Sequence, residues 1–346
     1  MNSKRVIVSK FGGAENLQLI EEVIPEPRAD EVRIKILTAG VSLADILMRE
    51  GVHPESLFRR TPFSLGWDIV GTVDKLGDKV SSTNRWTIGD TVAALPIVGG
   101  YAQYLCLPSS QLVSVPSGLD AAEAVSMVLN YTTAYQMLNR CARIRFGERI
   151  LVHGAAGGVG TALLQLGKLT GLDMYGTCSH SKEKVVSELG GKAIDYKSVD
   201  FVQEVFRLTE DGVDAVFDGI GTKSLLRSYK TLRNRGRLVG YGFGSMTKVR
   251  RRQRYQIISN ILNWVNVFAL NLLPYRRKVI PYSIQTLKKR RPDWFREDLG
   301  VLLNLLKQGK IKPIIAARMP LNEVAKAHKL LEKGSVMGKI VFICNL

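Results

Sequence analysis

A chain of 346 residues, 45% apolar and 23% charged, is long enough for two domains with separate cores and has the composition of a folded globular protein. No run of about eighteen uninterrupted apolar residues argues for a membrane span, and the first residues lack the apolar core and small-residue cleavage site of a signal peptide. The net charge of +18 is local: between Gly219 and Pro292 there is no Asp or Glu against eighteen Lys and Arg, and the rest of the chain carries 31 residues of each sign. A local anionic partner is therefore expected, not a general coat of nucleic acid.

Residues from about 4 to 120 read as an antiparallel β domain. Short β-rich runs such as Val6-Ile-Val, Glu31-Val-Arg-Ile-Lys-Ile-Leu, Asp68-Ile-Val-Gly-Thr-Val, Thr91-Val-Ala-Ala-Leu and Tyr101-Ala-Gln-Tyr-Leu-Cys-Leu alternate with turn formers. Val32, Ile34 and Ile36 alternate with Arg33 and Lys35, the pattern of a half-buried strand. Ser42 to Arg49 is a short helical stretch. From about 122 the period changes, with a helix over Ala121 to Leu138 and then strand–helix units with strands at 150–152, 173–177, 193–196, 213–218 and 237–241. That alternation predicts a doubly wound parallel sheet, so the fold class is α/β. Helices over 294–306 and 321–331 and a strand over 338–343 close the chain. Cys106, Cys141, Cys178 and Cys344 form no CxxC pair and are expected as reduced, buried groups in a cytoplasmic protein.

The most informative stretch is Arg149-Ile-Leu-Val-His-Gly-Ala-Ala-Gly-Gly-Val-Gly-Thr-Ala, an apolar strand, a glycine-rich turn and a helix in that order. This is the context that a dinucleotide fingerprint requires. Gly157 would admit a pyrophosphate to the backbone, Gly160 would let the helix approach the strand, and Ala155 stands where the usual pattern has its first glycine. The phosphates would meet the free N–H groups of Ala155, Ala156, Gly157, Gly158, Val159 and Gly160.

Gly66-Trp-Asp-Ile-Val-Gly71, Asn130-Tyr-Thr-Thr-Ala-Tyr135 and Gly154-Ala-Ala-Gly-Gly-Val-Gly160 together resemble the medium-chain dehydrogenase/reductase superfamily. The zinc-independent, quinone oxidoreductase-like members are the nearer likeness, and Gly176-Thr-Cys-Ser-His-Ser-Lys182 is similar to the vesicle amine transport protein branch. The resemblance implies a GroES-like β domain over 1–122, completed by about 310–346. It also implies a Rossmann domain over 123–309 that contains a basic insertion at about 248–291. Ser42 stands where the zinc alcohol dehydrogenases carry a catalytic cysteine, and Gly66-Trp67-Asp68 stands where they carry Gly-His-Glu. A hydroxyl and an indole do not replace thiolate and imidazole ligands, so no metal site is expected.

Beyond the second parallel strand, where an NAD site would place Asp or Glu, the chain offers Ser179, His180, Ser181 and Lys182. A hydroxyl and an ammonium suit a 2′-phosphate, so NADPH is the expected cofactor; Lys182 is otherwise a solvated residue of the first helical turn. By resemblance, Tyr196 lies on the adenine side, Asn130 and Thr133 near the nicotinamide, and Gly242 and Phe243 along the cofactor. Lys339 falls beside the cleft or is a solvated strand lysine. The implied reaction is hydride transfer to a quinone or enone, with Ser42, Asp45 and His53 as the polar groups near the substrate. His53 would donate to an oxyanion, or else be structural.

The segment from 248 to 291 holds a predicted amphipathic helix over 255–273. Its expected apolar face includes Val265, Phe268, Ala269 and Leu272, with Asn260, Asn263, Asn266 and Asn271 as polar positions and basic clusters on both sides. It suits an anionic membrane surface, or it covers a cleft or a dimer interface. The expected partners are thus a small-molecule quinone or enone, a second copy of the chain, and an anionic membrane surface through 248–291. Nucleic acid is not expected, because no recognised binding module accompanies the charge.

Overall fold

The computed structural model describes residues 2–83, 85–221, 223–242, 267–272 and 276–344. By its contacts the chain separates into two compact units, 1–129 with 293–346, and 130–292. Among the described residues no helix is long and apolar enough to cross a membrane.

In the first unit, β1 (Asn2–Val8) and β2 (Leu17–Val23) form an antiparallel ribbon. The larger sheet is built on β3 (Glu31–Val41), which pairs antiparallel with β4 (Ile69–Leu76) and with β6 (Tyr104–Pro108); β5 (Thr91–Ala94) and β7 (Val113–Ser114) extend the β4 side. The alternation in β3 works as its sequence implies: Val32, Ile34 and Ile36 are fully enclosed while Lys35 is exposed. Each such side chain stabilises the fold by about 1.5–3 kcal/mol relative to leaving it in water.

A helical run from Ala121 to Ala142, whose turns widen to i→i+5 at Met127–Tyr131 and Gln136–Ala142, carries the chain into the second unit at Asn130. That unit then builds a six-stranded sheet from β8 (Arg149–His153), β9 (Asp173–Cys178), β10 (Gly191–Asp195), β11 (Val213–Asp218), β12 (Leu232–Gly240) and β13 (Lys278–Pro281). All neighbours are parallel, in the order β10-β9-β8-β11-β12-β13. The order reverses between β8 and β11, and open α/β sheets bind ligands at the carboxyl ends of strands beside such a switch point. Leu151, Tyr175, Val213, Val216, Leu225 and Leu238 form the centre of its core.

The chain re-enters the first unit at Asp293, upstream of the boundary near 309 expected from the sequence. The helix Pro292–Lys307 buries Phe295, Leu299, Leu302, Leu303 and Leu306 and belongs with the first unit. Then β14 (Ile315–Pro320) and β15 (Lys339–Ile343) complete that unit's sheet, in the order β14-β15-β3-β4-β5-β7.

Most of the predicted helix over 255–273, and the basic cluster that precedes it, lie outside the described residues. Its described tail corrects the expected apolar face. Val267 is buried in the sheet core with Leu270 packed against it, whereas Phe268 is 53% exposed and Ala269 is exposed. Asn271, a polar position beyond the expected stripe, is structural: its side chain accepts from Val279 N at 2.7 Å and donates to Val279 O at 3.1 Å, pinning the tail to β13. Arg277 lies over the Tyr229 ring and donates to the Tyr229 carbonyl, so this basic cluster is partly a packing element.

Candidate functional site

The glycine turn occupies the carboxyl end of β8. Gly154 takes the left-handed conformation at φ +66°, the one position in the turn where a side chain would be strained. Ala155 is wholly buried, and its methyl group takes the space beside Gly176 of β9, where a Cβ would fall 2.6 Å from it. A glycine on the neighbouring strand thus admits the alanine that replaces the usual first glycine. Gly157 caps the helix Gly158–Thr170 with no side-chain oxygen. The first-turn N–H groups are therefore left without the side-chain acceptor that most helices supply. At Gly160 a Cβ would lie 2.4 Å from the Gly154 carbonyl oxygen, so only glycine lets the helix start this close to the turn. Ala156 is buried, and Gly157, Gly158 and Val159 are half-buried. An uncapped, glycine-lined helix start of this kind fits a pyrophosphate.

At the end of β9, Ser179 and Ser181 place their hydroxyl oxygens 3.4 Å apart. Lys182 is half-buried, and burial pulls its ammonium below the usual lysine range. Tyr196, 53% exposed, donates its backbone N–H to the Cys178 carbonyl, which brings it beside Ser179. The fold thus gathers Ser179, Lys182 and Tyr196 at the carboxyl ends of β9 and β10. Asn130 and Thr133 lie buried on the helical run through which the chain enters the second unit. Gly242 follows β12, and a Cβ there would meet the Gly219 carbonyl at 2.3 Å. Phe243 lies outside the described residues.

In the first unit, Ser42 and Asp45 turn out to be the two halves of a capping box on the helix Leu43–Glu50. Asp45 is fully enclosed; one oxygen accepts from Ser42 N at 2.9 Å and from Ser42 Oγ at 2.6 Å, the other from Gly66 N at 3.0 Å. Burial raises its carboxyl to about 6, with these hydrogen bonds opposing. Asp45 therefore organises the helix start and the Gly66 loop, and is no longer a group expected to meet substrate. His53 accepts the Glu55 N–H at Nδ1 (3.2 Å), which leaves its proton on Nε2, and it meets the Trp67 ring edge-on with centroids 5.4 Å apart. Burial lowers its pKa to about 4, so the ring is neutral.

Lys339 is not a solvated strand lysine. It is 2% exposed, with Nζ 2.6 Å from Asp68 Oδ2. Burial pushes the Asp68 carboxyl up, against the pull of this ammonium. Gly40 makes room for the pair, since a Cβ there would fall 2.2 Å from Lys339 Cε. Where related zinc enzymes have ligands, this chain therefore has a hydroxyl bonded to Asp45, an enclosed indole and a carboxylate held by lysine. That donor set does not fit zinc. The four cysteines are free; Cys178 and Cys344 are buried, and burial raises the thiols of Cys106, Cys141 and Cys178 to about 11.

Two features escaped sequence reasoning. One is the Asp68–Lys339 pair. The other is a buried polar chain below the glycine turn, through His153, whose only sign in the sequence is a histidine ending an apolar strand.

Comparison with known proteins agrees with this architecture. Residues 28–117 match the alcohol dehydrogenase GroES-like domain and residues 189–342 match the zinc-binding dehydrogenase family. The chain is 30% identical over 342 residues to the synaptic vesicle membrane protein VAT-1 homolog of Rattus norvegicus, covering 98% of this chain and 83% of that protein. It is 28% identical over 346 residues to the quinone oxidoreductase of Rattus norvegicus, covering 98% of this chain and 97% of that one. The crystal structure of the Escherichia coli quinone oxidoreductase complexed with NADPH superposes with a TM-score of 0.85 at 26% identity, covering 98% of this chain and 99% of that chain.

Proposed function

Because the chain belongs to the medium-chain dehydrogenase/reductase superfamily, among the quinone oxidoreductases and VAT-1 homologues, we propose that it is a zinc-independent, NADPH-dependent oxidoreductase whose acceptor is a quinone or an activated alkene or carbonyl. The observation that carries this reading is the uncapped glycine start of the helix Gly158–Thr170, with Ser179 and Lys182 one strand further on. A dinucleotide pyrophosphate takes the helix N–H groups and the positive end of the helix dipole. A half-desolvated ammonium at Lys182 gains most from an added 2′-phosphate, and the absence of a carboxylate at Ser179 removes the group that would repel it.

The bound nicotinamide would supply a hydride, and with one proton from solvent a quinone becomes a hydroquinone. The chain's own work is alignment and electrostatics. Asn130 and Thr133 are assigned to hold the nicotinamide end, and Gly242 and Phe243 to line it. His53 is assigned to the acceptor oxygen. A neutral ring with its proton fixed on Nε2 can donate to developing negative charge without itself being ionised. Ser42 gives its proton to Asp45 and so presents only lone pairs.

The experiment is a titration of NADPH and NADH followed by a panel of quinones and enones. NADPH is expected to bind more tightly than NADH and to be oxidised with at least one acceptor. Tight NADPH binding with no turnover on the whole panel would sink the enzyme reading. A second reading then gains ground, in which the scaffold binds a cofactor and docks on an anionic membrane surface. What favours it is the acid-free stretch, with Lys289, Arg290 and Arg291 exposed at and after the end of the helix Ile284–Arg290.

A further inference from the structure

His153 closes an otherwise apolar strand, and it sits in the middle of a chain of buried hydrogen bonds. Ser228 Oγ lies 2.7 Å from Asp218 Oδ2, and His153 Nε2 lies 2.9 Å from Ser228 Oγ. His153 Nδ1 lies 3.0 Å from Thr177 Oγ1, which receives the Gly154 N–H at 3.3 Å. Asp218 and Ser228 are fully enclosed, and His153 and Thr177 are 4% and 3% exposed. The other Asp218 oxygen accepts from the backbone of Ile220 at 2.8 Å and of Gly221 at 3.1 Å.

Elementary chemistry gives this chain one direction. A carboxylate only accepts, so Ser228 must spend its single proton on Asp218. His153 then has to donate from Nε2. A neutral imidazole with its proton on Nε2 accepts at Nδ1, so Thr177 donates there and keeps its lone pairs for Gly154. Burial drives the His153 pKa down, with Asp218 opposing and Arg227 adding to the drop, which keeps the ring neutral. The linked groups come from the carboxyl ends of β8, β9 and β11 and from the helix Lys223–Lys230. They tie the two turns on either side of the switch point, at 154–157 and 218–221. Filling space would require no polar atoms here, and a fully satisfied buried network specifies one arrangement of its backbone.

We propose that this chain is a positioning device for the dinucleotide: Asp218, through Ser228, fixes His153 as the Nε2–H tautomer, so that Thr177 holds the Gly154 N–H and sets the turn that presents the helix start to the pyrophosphate. The proposal rests on the NADPH reading. His153 and Thr177 are positioning residues and touch no reacting atom.

Two measurements test it. The first reads the ring nitrogens of His153 in the nucleotide-free protein by long-range 1H–15N correlation, the four histidines being assigned by single replacements. A neutral Nε2–H tautomer is expected, and Ser228→Ala, which removes the acceptor of that proton, is expected to move it toward Nδ1. The second compares NADPH affinities by nucleotide fluorescence. Thr177→Val is expected to weaken binding about tenfold, the cost of leaving the Gly154 N–H and the His153 ring without a partner, while Thr177→Ser recovers most of it. An Nδ1–H tautomer or an imidazolium at neutral pH overturns the proposal. So does a Thr177→Val protein that melts lower yet binds NADPH as tightly as the parent, since that is a packing effect alone. A parent protein that binds no dinucleotide overturns the cofactor reading and the device with it, and is told apart by the ring spectrum, which reports the hydrogen-bond chain without cofactor.

Discussion

His328 and Arg49 show how far burial can move a side chain from its ordinary behaviour. His328 is wholly enclosed, with Nδ1 3.3 Å from Arg49 Nη1, and among the described residues its Nε2 has no hydrogen-bond partner. Arginine only donates, so Nδ1 is the acceptor and the ring is neutral. Burial first, and the Arg49 charge second, lower the His328 pKa to about 3. The folded pKa lies below the unfolded value near 6.5, so the unfolded chain binds the proton first. The contribution is present in full above about pH 6.5 and is lost as the pH falls toward 3. In urea unfolding, His328→Gln keeps an acceptor for Arg49 and removes the titration. Its stability should therefore fall less steeply than the parent's between pH 6.5 and 4, by up to about 1.4 kcal/mol per pH unit. Parallel pH profiles would show that the ring is not held neutral. The same scale explains what a one-dimensional reading could not see. Lys339 offered a cleft lysine or a solvated one, and its true partner, Asp68, lies 271 residues away. Asp45 reads in the sequence as a polar group near the substrate, together with Ser42 and His53; only the fold reveals that its oxygens are consumed by Ser42 and Gly66.

Elements were legible where their period was strong. The turn from β8 into the helix Gly158–Thr170 was read in full, because strand, glycines and helix each leave a mark within a few residues. A direct consequence can be measured. Gly160→Ala puts a methyl group 2.4 Å from the Gly154 oxygen and 2.7 Å from the Ala155 backbone, neither of which is a flexible side-chain end. The helix has to move off the turn, and overpacking of this kind costs about 1–3 kcal/mol. Thermal unfolding should drop accordingly and NADPH affinity should fall with it. Gly300→Ala, inside the helix Pro292–Lys307 where a Cβ meets nothing within 4 Å, is the control: it should leave NADPH affinity unchanged and raise stability by about 0.5–1 kcal/mol. Equal behaviour of the two variants would mean that the close approach has no consequence. By contrast β2 was missed because as one half of a two-stranded ribbon it buries little, its pattern being one buried residue followed by exposed and half-buried ones. β13 was missed because it is four residues long, stands at the sheet edge, ends in Pro281 and buries only Val279. The widened turns at Met127–Tyr131 and Gln136–Ala142 leave the apolar pattern helical, so no period announces them.

For the whole molecule the question is what the charge of +18 does. Part of the acid-free stretch is neutralised from elsewhere in the second unit: Arg227 pairs with Asp200 at 2.6 Å, Arg233 with Asp214, and Arg237 with Glu148 at 2.5 Å. Arg277 is spent on Tyr229. The excess available to a partner is therefore smaller than the sequence count suggests, and Lys289 and Arg290, both exposed in the last turn of the helix Ile284–Arg290, are its clearest described members. A basic residue near anionic lipid contributes about 1 kcal/mol, so reversing both charges should weaken vesicle binding by at least tenfold. In flotation, phosphatidylserine-containing vesicles should carry the protein at low salt. Lys289→Glu combined with Arg290→Glu should stay at the bottom of the gradient, with its helical signal intact. Added salt should release the parent as well, because at about 0.15 M the screening length is already near 8 Å. Vesicles of phosphatidylcholine alone are the control for apolar insertion. Retention on those would point to an apolar face such as the one carrying Phe268, whereas no flotation on either kind at low salt would remove the membrane reading and leave the basic residues as a solvated face.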